Sequence, residues 1–429
     1  MNNNLLIKNG HVIDLINKID GMFDVLINDG KIVSISKDIK NNDAKLIDAK
    51  GKYVCPGFID MHVHLREPGR EDEETIESGT RAAAHGGFTS ILCMPNTQPP
   101  IDNEGIVEFI YNQAKEKGCV NVYCSGCITK GRAGKELVEM AMLKKAGAIA
   151  ITDDGSPVVD SHIMRRAIEY SSMCGLRVIS HAEELTLSAG GQMNEGYTST
   201  VLGLKGIPNS AEDIMVYREI SLAKLTKIPV HITHISTAGS VRLIMQAKKE
   251  GVPVTCDTTP HYFTLDDTFL KSYDTNLKVN PPIRSKDDVS AIKEGLKDGT
   301  IDAIVTDHAP HADYEKKVEF NDAPCGMVGL ETAVGLCLTE LVHKNVLDVK
   351  SMVSKLTVNP GTILNIQKGT LSVGSDADVT ILDTEREWTV KKEEFVSKSK
   401  NTPFAGFKLK GAVSMTIVGG KIVYDSGCK

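Results

Sequence analysis

Through the middle of the chain, short apolar runs alternate with longer segments whose apolar positions recur every three or four residues. Eight apolar runs read as strands, at 57–64, 88–96, 120–129, 148–154, 176–183, 229–236, 253–260 and 302–310. Helical periodicity fills the gaps, for example at 106–117, 136–146, 163–173 and 240–250. A further helix is expected over 210–226, where Ser210 and Asp213 stand three apart in a capping-box-like start. Continuous apolar strands alternating with helices imply a parallel sheet covered on both faces. Eight repeats, with no G-x-G-x-x-G after the first strand, favour closure into a (β/α)₈ (TIM) barrel over an open sheet.

The two ends have a different texture. Residues 5–54 hold short β-branched runs broken by Asn9-Gly10, Asn28-Asp29-Gly30-Lys31 and Lys50-Gly51. Residues 370–425 repeat the pattern around Val373-Gly374-Ser375-Asp376 and Val418-Gly419-Gly420-Lys421. Such turns mark antiparallel strands. Neither end has many strands, so both are expected to combine into one small β-sandwich. The expected division is 1–54 and 369–429 for the sandwich and 55–368 for the barrel. A length of 429 residues accommodates this, since a barrel takes ~250.

Polar residues close the predicted strands. His62 and His64, Asn96, Asp153 and Asp154, His181, His234 and Asp307 all fall at carboxyl ends, which in a barrel converge on one mouth. In Asp60-Met61-His62-Val63-His64 the strand period of two puts both imidazoles on one face. Histidine nitrogen with carboxylate oxygen is a ligand set for a catalytic divalent ion such as Zn²⁺. Four histidines and two carboxylates exceed one tetrahedral site, so two ions sharing a bridge are expected. The bridge falls to the fourth strand, where parity does not choose between Asp153 and Asp154. His11, His85, His162 and His343 read as structural or solvated. His231 is expected to pack on the other face against a helix; His261 and His308 stay open between a structural and a site role, with His308, next to Asp307, placed to buttress the site.

Composition narrows the function classes. Apolar residues make up 41% and charged ones 24%, so the chain is that of a globular protein. The net charge is −7 with no long basic run, which argues against nucleic-acid binding. An anionic substrate therefore needs local cations. No apolar stretch approaches the ~20 residues of a membrane span, and the amino terminus lacks the layout of a signal peptide. The ten cysteines are scattered, and Cys93, Cys124, Cys127 and Cys256 sit in apolar runs. That pattern suits a reducing cytoplasm. Cys124 and Cys127 form a C-x-x-C without a second pair and read as packing residues.

The stretch Asp60-Met61-His62-Val63-His64-Leu65-Arg66-Glu67-Pro68-Gly69 resembles the first signature of the dihydroorotases, and Thr306-Asp307-His308-Ala309-Pro310-His311 with Lys316 resembles the second. Met94-Pro95-Asn96-Thr97 and Asn280-Pro281-Pro282-Ile283-Arg284 are similar to further blocks of that family. The likeness spans essentially the whole chain. It implies reversible cyclisation of N-carbamoyl-L-aspartate to L-dihydroorotate in pyrimidine synthesis. It also implies one zinc on His62, His64 and Asp307, a second on His181 and His234, and Asp154 as the bridge. Many relatives bridge with a carboxylated lysine; here Ile151-Thr152-Asp153-Asp154 occupies that place, which resembles a bacterial branch using aspartate.

Under this resemblance Asp307 shuttles the proton. Arg66 forks onto the substrate carboxylate, with pairing to Glu67 or Glu71 as its plain alternative. His64 doubles as a substrate contact. Asn96 and His311 join Arg66, while Asn280 and the backbone of Cys325-Gly326 hold the ring. Residues 311–320 are expected to form a loop over the substrate. A homodimer is implied, with an aspartate transcarbamoylase complex as a further assembly. Two rivals stand beside this reading. One is a sister cyclic amidohydrolase, an allantoinase or dihydropyrimidinase, which has no need of Arg66. The other is a non-catalytic transcarbamoylase scaffold, which would have lost ligands.

Overall fold

The computed structural model describes residues 4–427; Met1–Asn3 and Cys428–Lys429, the outermost residues of the expected sandwich, lie outside the described residues. Eight parallel strands follow in chain order: Phe58–Val63, Phe88–Cys93, Asn121–Gly126, Ala150–Ile151, Arg177–Ser180, Val230–Ile232, Val254–Thr258 and Ala303–Ile304. Strand eight returns to strand one. Val63 bridges His308 in parallel, His64 N–H donates to His308 O at 2.9 Å, and Asp60 Oδ1 accepts from Thr306 N at 3.1 Å. Asp60 is thus a clasp across the closing seam.

Burial explains why the strands read as unbroken apolar runs. Every residue of Phe58–Val63 and Phe88–Cys93 is buried, as a sheet covered on both faces requires. Ile59, Met61, Leu92, Ala150, Ile179 and Ala303 form one packed cluster. Phe58, Phe88, Val178, Val230, Val254 and Ile304 belong to another, which includes residues of the surrounding helices.

The strands are shorter than the apolar runs. The ladder stops at Ile151, Ser180, Ile232 and Ile304, so Asp154, His181, His234 and Asp307 stand one to three residues beyond it. His234 and Asp307 have φ of 40° and 47°, a turn conformation that no strand residue adopts.

The helix Ser210–Thr226 has the expected bounds but not the expected cap. Asn209 is its N-cap and makes no side-chain capping bond. Asp213 instead accepts from Thr237 Oγ1 at 2.5 Å, and Glu212 from Ser236 N at 2.9 Å. These carboxylates secure the loop after strand six rather than their own helix.

Both chain ends contribute to one further sheet of eight strands. Tyr53–Pro56 joins the halves, antiparallel to Val379–Thr389 on one side and parallel to Leu5–Asp14 on the other. Most other pairings are antiparallel, and Leu5, Ile7, Val12, Ile27, Val379 and Ile417 share its core. Among the described residues no helix is long and apolar enough to cross a membrane.

Candidate active site

A cavity of about 230 Å³ opens at the carboxyl ends of the strands. Eleven of the twelve expected site residues line it; His62 lies beneath, fully buried. The imidazoles of His62, His64, His181 and His234 surround Asp154, with nitrogen to carboxylate distances of 3.4, 3.6, 3.6 and 3.4 Å. Asp307 stands 3.0 Å from His64 Nε2 and 3.5 Å from His62 Nε2. Asp153 faces away: it accepts from the N–H groups of Ile128 and Thr129 at 2.8 and 3.2 Å, and from the Thr129 hydroxyl.

The outer partner of each imidazole decides which nitrogen carries hydrogen. Thr233 Oγ1 lies 3.0 Å from Asp257 Oδ1 and donates its one hydrogen there, so it accepts from His62 Nδ1 at 2.9 Å. The lone pair on His62 is therefore on Nε2, a buried atom with no hydrogen-bond partner. His64 Nδ1 donates to Asn96 Oδ1 at 2.7 Å, which leaves its Nε2 lone pair beside Asp307. His181 Nε2 donates to Glu183 Oε2 at 3.0 Å, which leaves Nδ1 facing His234 Nε2 at 3.0 Å. The lone pairs of His62 and His64 thus face carboxylates and that of His181 faces His234, an arrangement that positive charge among them would stabilise. The titration directions agree. Burial alone would depress His62, but Asp154 and Asp307 outweigh it and push it up to about 9. Burial likewise opposes the charged His181, and bonds to Asp154 and Glu183 raise it to about 10. Burial favours the neutral acids, yet His62 and its neighbours hold both Asp154 and Asp307 far below the usual carboxylate range. The pocket demands cations, and two groups of three (His62, His64, Asp307; His62, Asp154, His234) have the spacing to share one.

The same cavity also carries a cationic group. Arg66 pairs with neither Glu67 nor Glu71 but with Glu73 at 2.8 Å, and its Nε donates to Pro310 O at 3.1 Å. Its Nη2 is 3.4 Å from His311 Nε2. Asn280 Nδ2 donates to Glu183 Oε2 at 3.0 Å. Gly326, at φ 142°, turns the chain where a side chain would collide with Ala309 and His311.

Several supporting residues escaped the sequence reading. Thr233, Asp257, Glu183 and Glu73 orient the residues that face the cavity. Glu183 follows His181 by two, a same-face spacing that was there to be used. Asp257 closes strand seven like the other polar strand ends. His231 proves to be its partner: Nε2 lies 2.7 Å from Asp257 and Nδ1 2.8 Å from Thr255 Oγ1, so it braces neighbouring strands. His308 braces the mouth, 3.2 Å from Glu74 and accepting from Gly329 N at 3.2 Å. Residues 313–316 of the expected loop form a short helix.

A closed parallel barrel with imidazoles and carboxylates gathered at its strand ends defines the amidohydrolase class. The Amidohydrolase family model matches residues 277–424 and the Dihydro-orotase-like model residues 51–240. Dihydroorotases of Acetivibrio thermocellus and Pelotomaculum thermopropionicum are each 56% identical, over 419 and 420 residues, covering 98% of this chain and 98% of theirs. The chain belongs to the dihydroorotase family. Among solved structures, the L-hydantoinase (dihydropyrimidinase) of Arthrobacter aurescens superposes with a TM-score of 0.89 at 29% identity, covering 98% of this chain and 96% of that one. The dihydropyrimidinase of Brevibacillus agri superposes at 0.86 with 26% identity, covering 98% and 95%.

Proposed function

We propose that this chain interconverts L-dihydroorotate and N-carbamoyl-L-aspartate, the ring-closing step of pyrimidine synthesis, with two zinc ions at the barrel mouth. The observation that carries the reading is one cavity lined both by a cation-demanding cluster of imidazoles and carboxylates and by Arg66 and His311. His62, His64 and Asp307 would hold one ion and His181 and His234 the other, with Asp154 available to both. The partnerless Nε2 of His62 and the lone pairs that face carboxylates fit that assignment. Bound there, the ions supply Lewis acidity to the ring amide and acidify a water.

The chain's own residues do the rest. Arg66, Asn96 and His311 hold the substrate carboxylate, and a guanidinium presents the planar donors that carboxylate recognition uses. Asn280 and the Cys325–Gly326 backbone orient the ring, with His64 completing the contact. Asp307 accepts the proton of the attacking water and delivers it to the ring nitrogen as the C–N bond breaks; ring closure runs the same transfers in reverse. The setting we propose is a cytoplasmic homodimer, with an aspartate transcarbamoylase complex as a further assembly. Its units are a barrel of residues 55–368 and a sheet domain from 1–54 and 369–429.

The test is hydrolysis of L-dihydroorotate by the purified protein, with allantoin and dihydrouracil as controls, before and after chelation and zinc restoration. Turnover of dihydroorotate alone, lost on chelation and regained with zinc, is the expected result. Turnover of a control without dihydroorotate would move the chain to a sister activity.

A further inference from the structure

Glu73 occupies an unusual place among the charges at the mouth. Its side chain is 2% exposed, and it meets three cationic or donor groups at once. Arg66 Nε lies 2.8 Å from Oε2, while His311 Nδ1 and Arg70 Nη2 each lie 3.1 Å from Oε1. Arg66 comes from the loop after strand one and His311 from the loop after strand eight, so this one carboxylate ties together the two loops that flank the closing seam. Around it, Arg70 also pairs with Glu315 at 2.8 Å, and Tyr314 Oη donates to Asp72 at 2.8 Å. Glu73, His311 and Glu315 have the spacing of a cation site, but Arg66 and Arg70 already fill that electrostatic role.

Two considerations give Glu73 its purpose. Arg66 Nη2 approaches His311 Nε2 to 3.4 Å, a crowding of donor groups that a shared anion offsets. Long flexible side chains also discriminate poorly unless their rotamers are fixed from behind before the ligand arrives. Glu73 engages Arg66 at Nε and His311 at Nδ1, and His311 Nε2 is further fixed at 2.9 Å from Cys325 O.

We propose that Glu73 is the positioning residue for substrate-carboxylate recognition: it holds Arg66 and His311 at a fixed spacing without touching substrate or metal. The inference rests on the reading of Arg66 given above. Its signature is a loss confined to substrate affinity and dependent on Arg66.

The experiment compares zinc-loaded wild type with Glu73→Gln, Glu73→Asp, Arg66→Gln and the Arg66→Gln/Glu73→Gln double variant. KM and kcat for L-dihydroorotate, zinc content and Tm are measured for each. Glu73→Gln should raise KM on the order of tenfold or more, as loss of a charge-assisted bond does, with kcat and zinc content near wild type. Glu73→Asp should recover part of the KM. The double variant should be little worse than Arg66→Gln, because effects acting through one partner do not add. An unchanged KM in Glu73→Gln beside a raised KM in Arg66→Gln overturns the role of Glu73 and leaves the function standing. Losses of zinc, Tm and kcat together, or additive effects in the double variant, overturn it as well. An unchanged KM in Arg66→Gln overturns the assignment of Arg66 itself, and this inference with it.

Discussion

Replacing Thr233 by Val tests whether hydrogen bonding behind the site prepares it for metal. Thr233 is 2% exposed, and its hydroxyl bonds His62 and Asp257. Valine matches its shape, so the change removes a hydroxyl and little else. Asp257 keeps His231 Nε2 at 2.7 Å and the His234 N–H at 2.5 Å, so that carboxylate remains satisfied. His62 Nδ1 loses its acceptor, and the tautomer with hydrogen on Nε2 becomes competitive. Outer-partner losses of this kind weaken metal binding ~10–100-fold, about 1.4–2.7 kcal/mol. The metal-free protein should lose only about 1 kcal/mol, the net value of an ordinary hydrogen bond. Competition for zinc against a chelating dye reads the first quantity and thermal unfolding of the chelated protein the second. Zinc affinity equal to wild type would refute the argument that Thr233 selects the His62 tautomer.

Two other perturbations address the frame of the site. Burial pushes Glu331 up to about 7 despite the N–H groups of Ser397 and Val396 that bond it. A carboxyl whose folded pKa exceeds its unfolded 4.5 contributes stability that is complete below 4.5 and lost as pH rises through about 7. The Tm of Glu331→Gln minus that of wild type should therefore be more positive at pH 8 than at pH 5, and a pH-independent difference would contradict the burial argument. Gly326→Ala places a Cβ 2.9 Å from Ala309 O and 3.0 Å from His311 Cδ2 at a φ of 142°. It should cost about 1–3 kcal/mol in denaturant unfolding and reduce kcat/KM; wild-type values in both would show that the loop yields freely.

The alternation of strands and helices was legible because burial on both faces writes itself into every strand. The strand ends were not. The run 148–154 keeps its apolar character up to Asp153, yet only Ala150–Ile151 pairs in the ladder. Parity could not choose between Asp153 and Asp154 for that reason: neither lies on a strand. The structural choice depends on N–H groups of Ile128 and Thr129, more than twenty residues away. The capping expectation at Ser210 failed similarly, since Glu212 and Asp213 answer to Ser236 and Thr237 across the fold. Local rules weigh the nearest partner, and buried carboxylates take the best one. Thr233 was invisible because a threonine inside an apolar run looks like any β-branched strand residue.

The sheet assembled from both ends of the chain sets an order of events during synthesis. Tyr53–Pro56 leaves the ribosome early, whereas its partner Val379–Leu382 follows about 325 residues later. At ordinary translation rates that interval is on the order of tens of seconds. Through that time one edge of Tyr53–Pro56 has no strand of this chain to pair with, while all eight barrel strands are being made. A nascent chain of this protein therefore carries an open β edge for most of its synthesis, and an interruption near residue 370 would leave its amino-terminal strands without their counterpart.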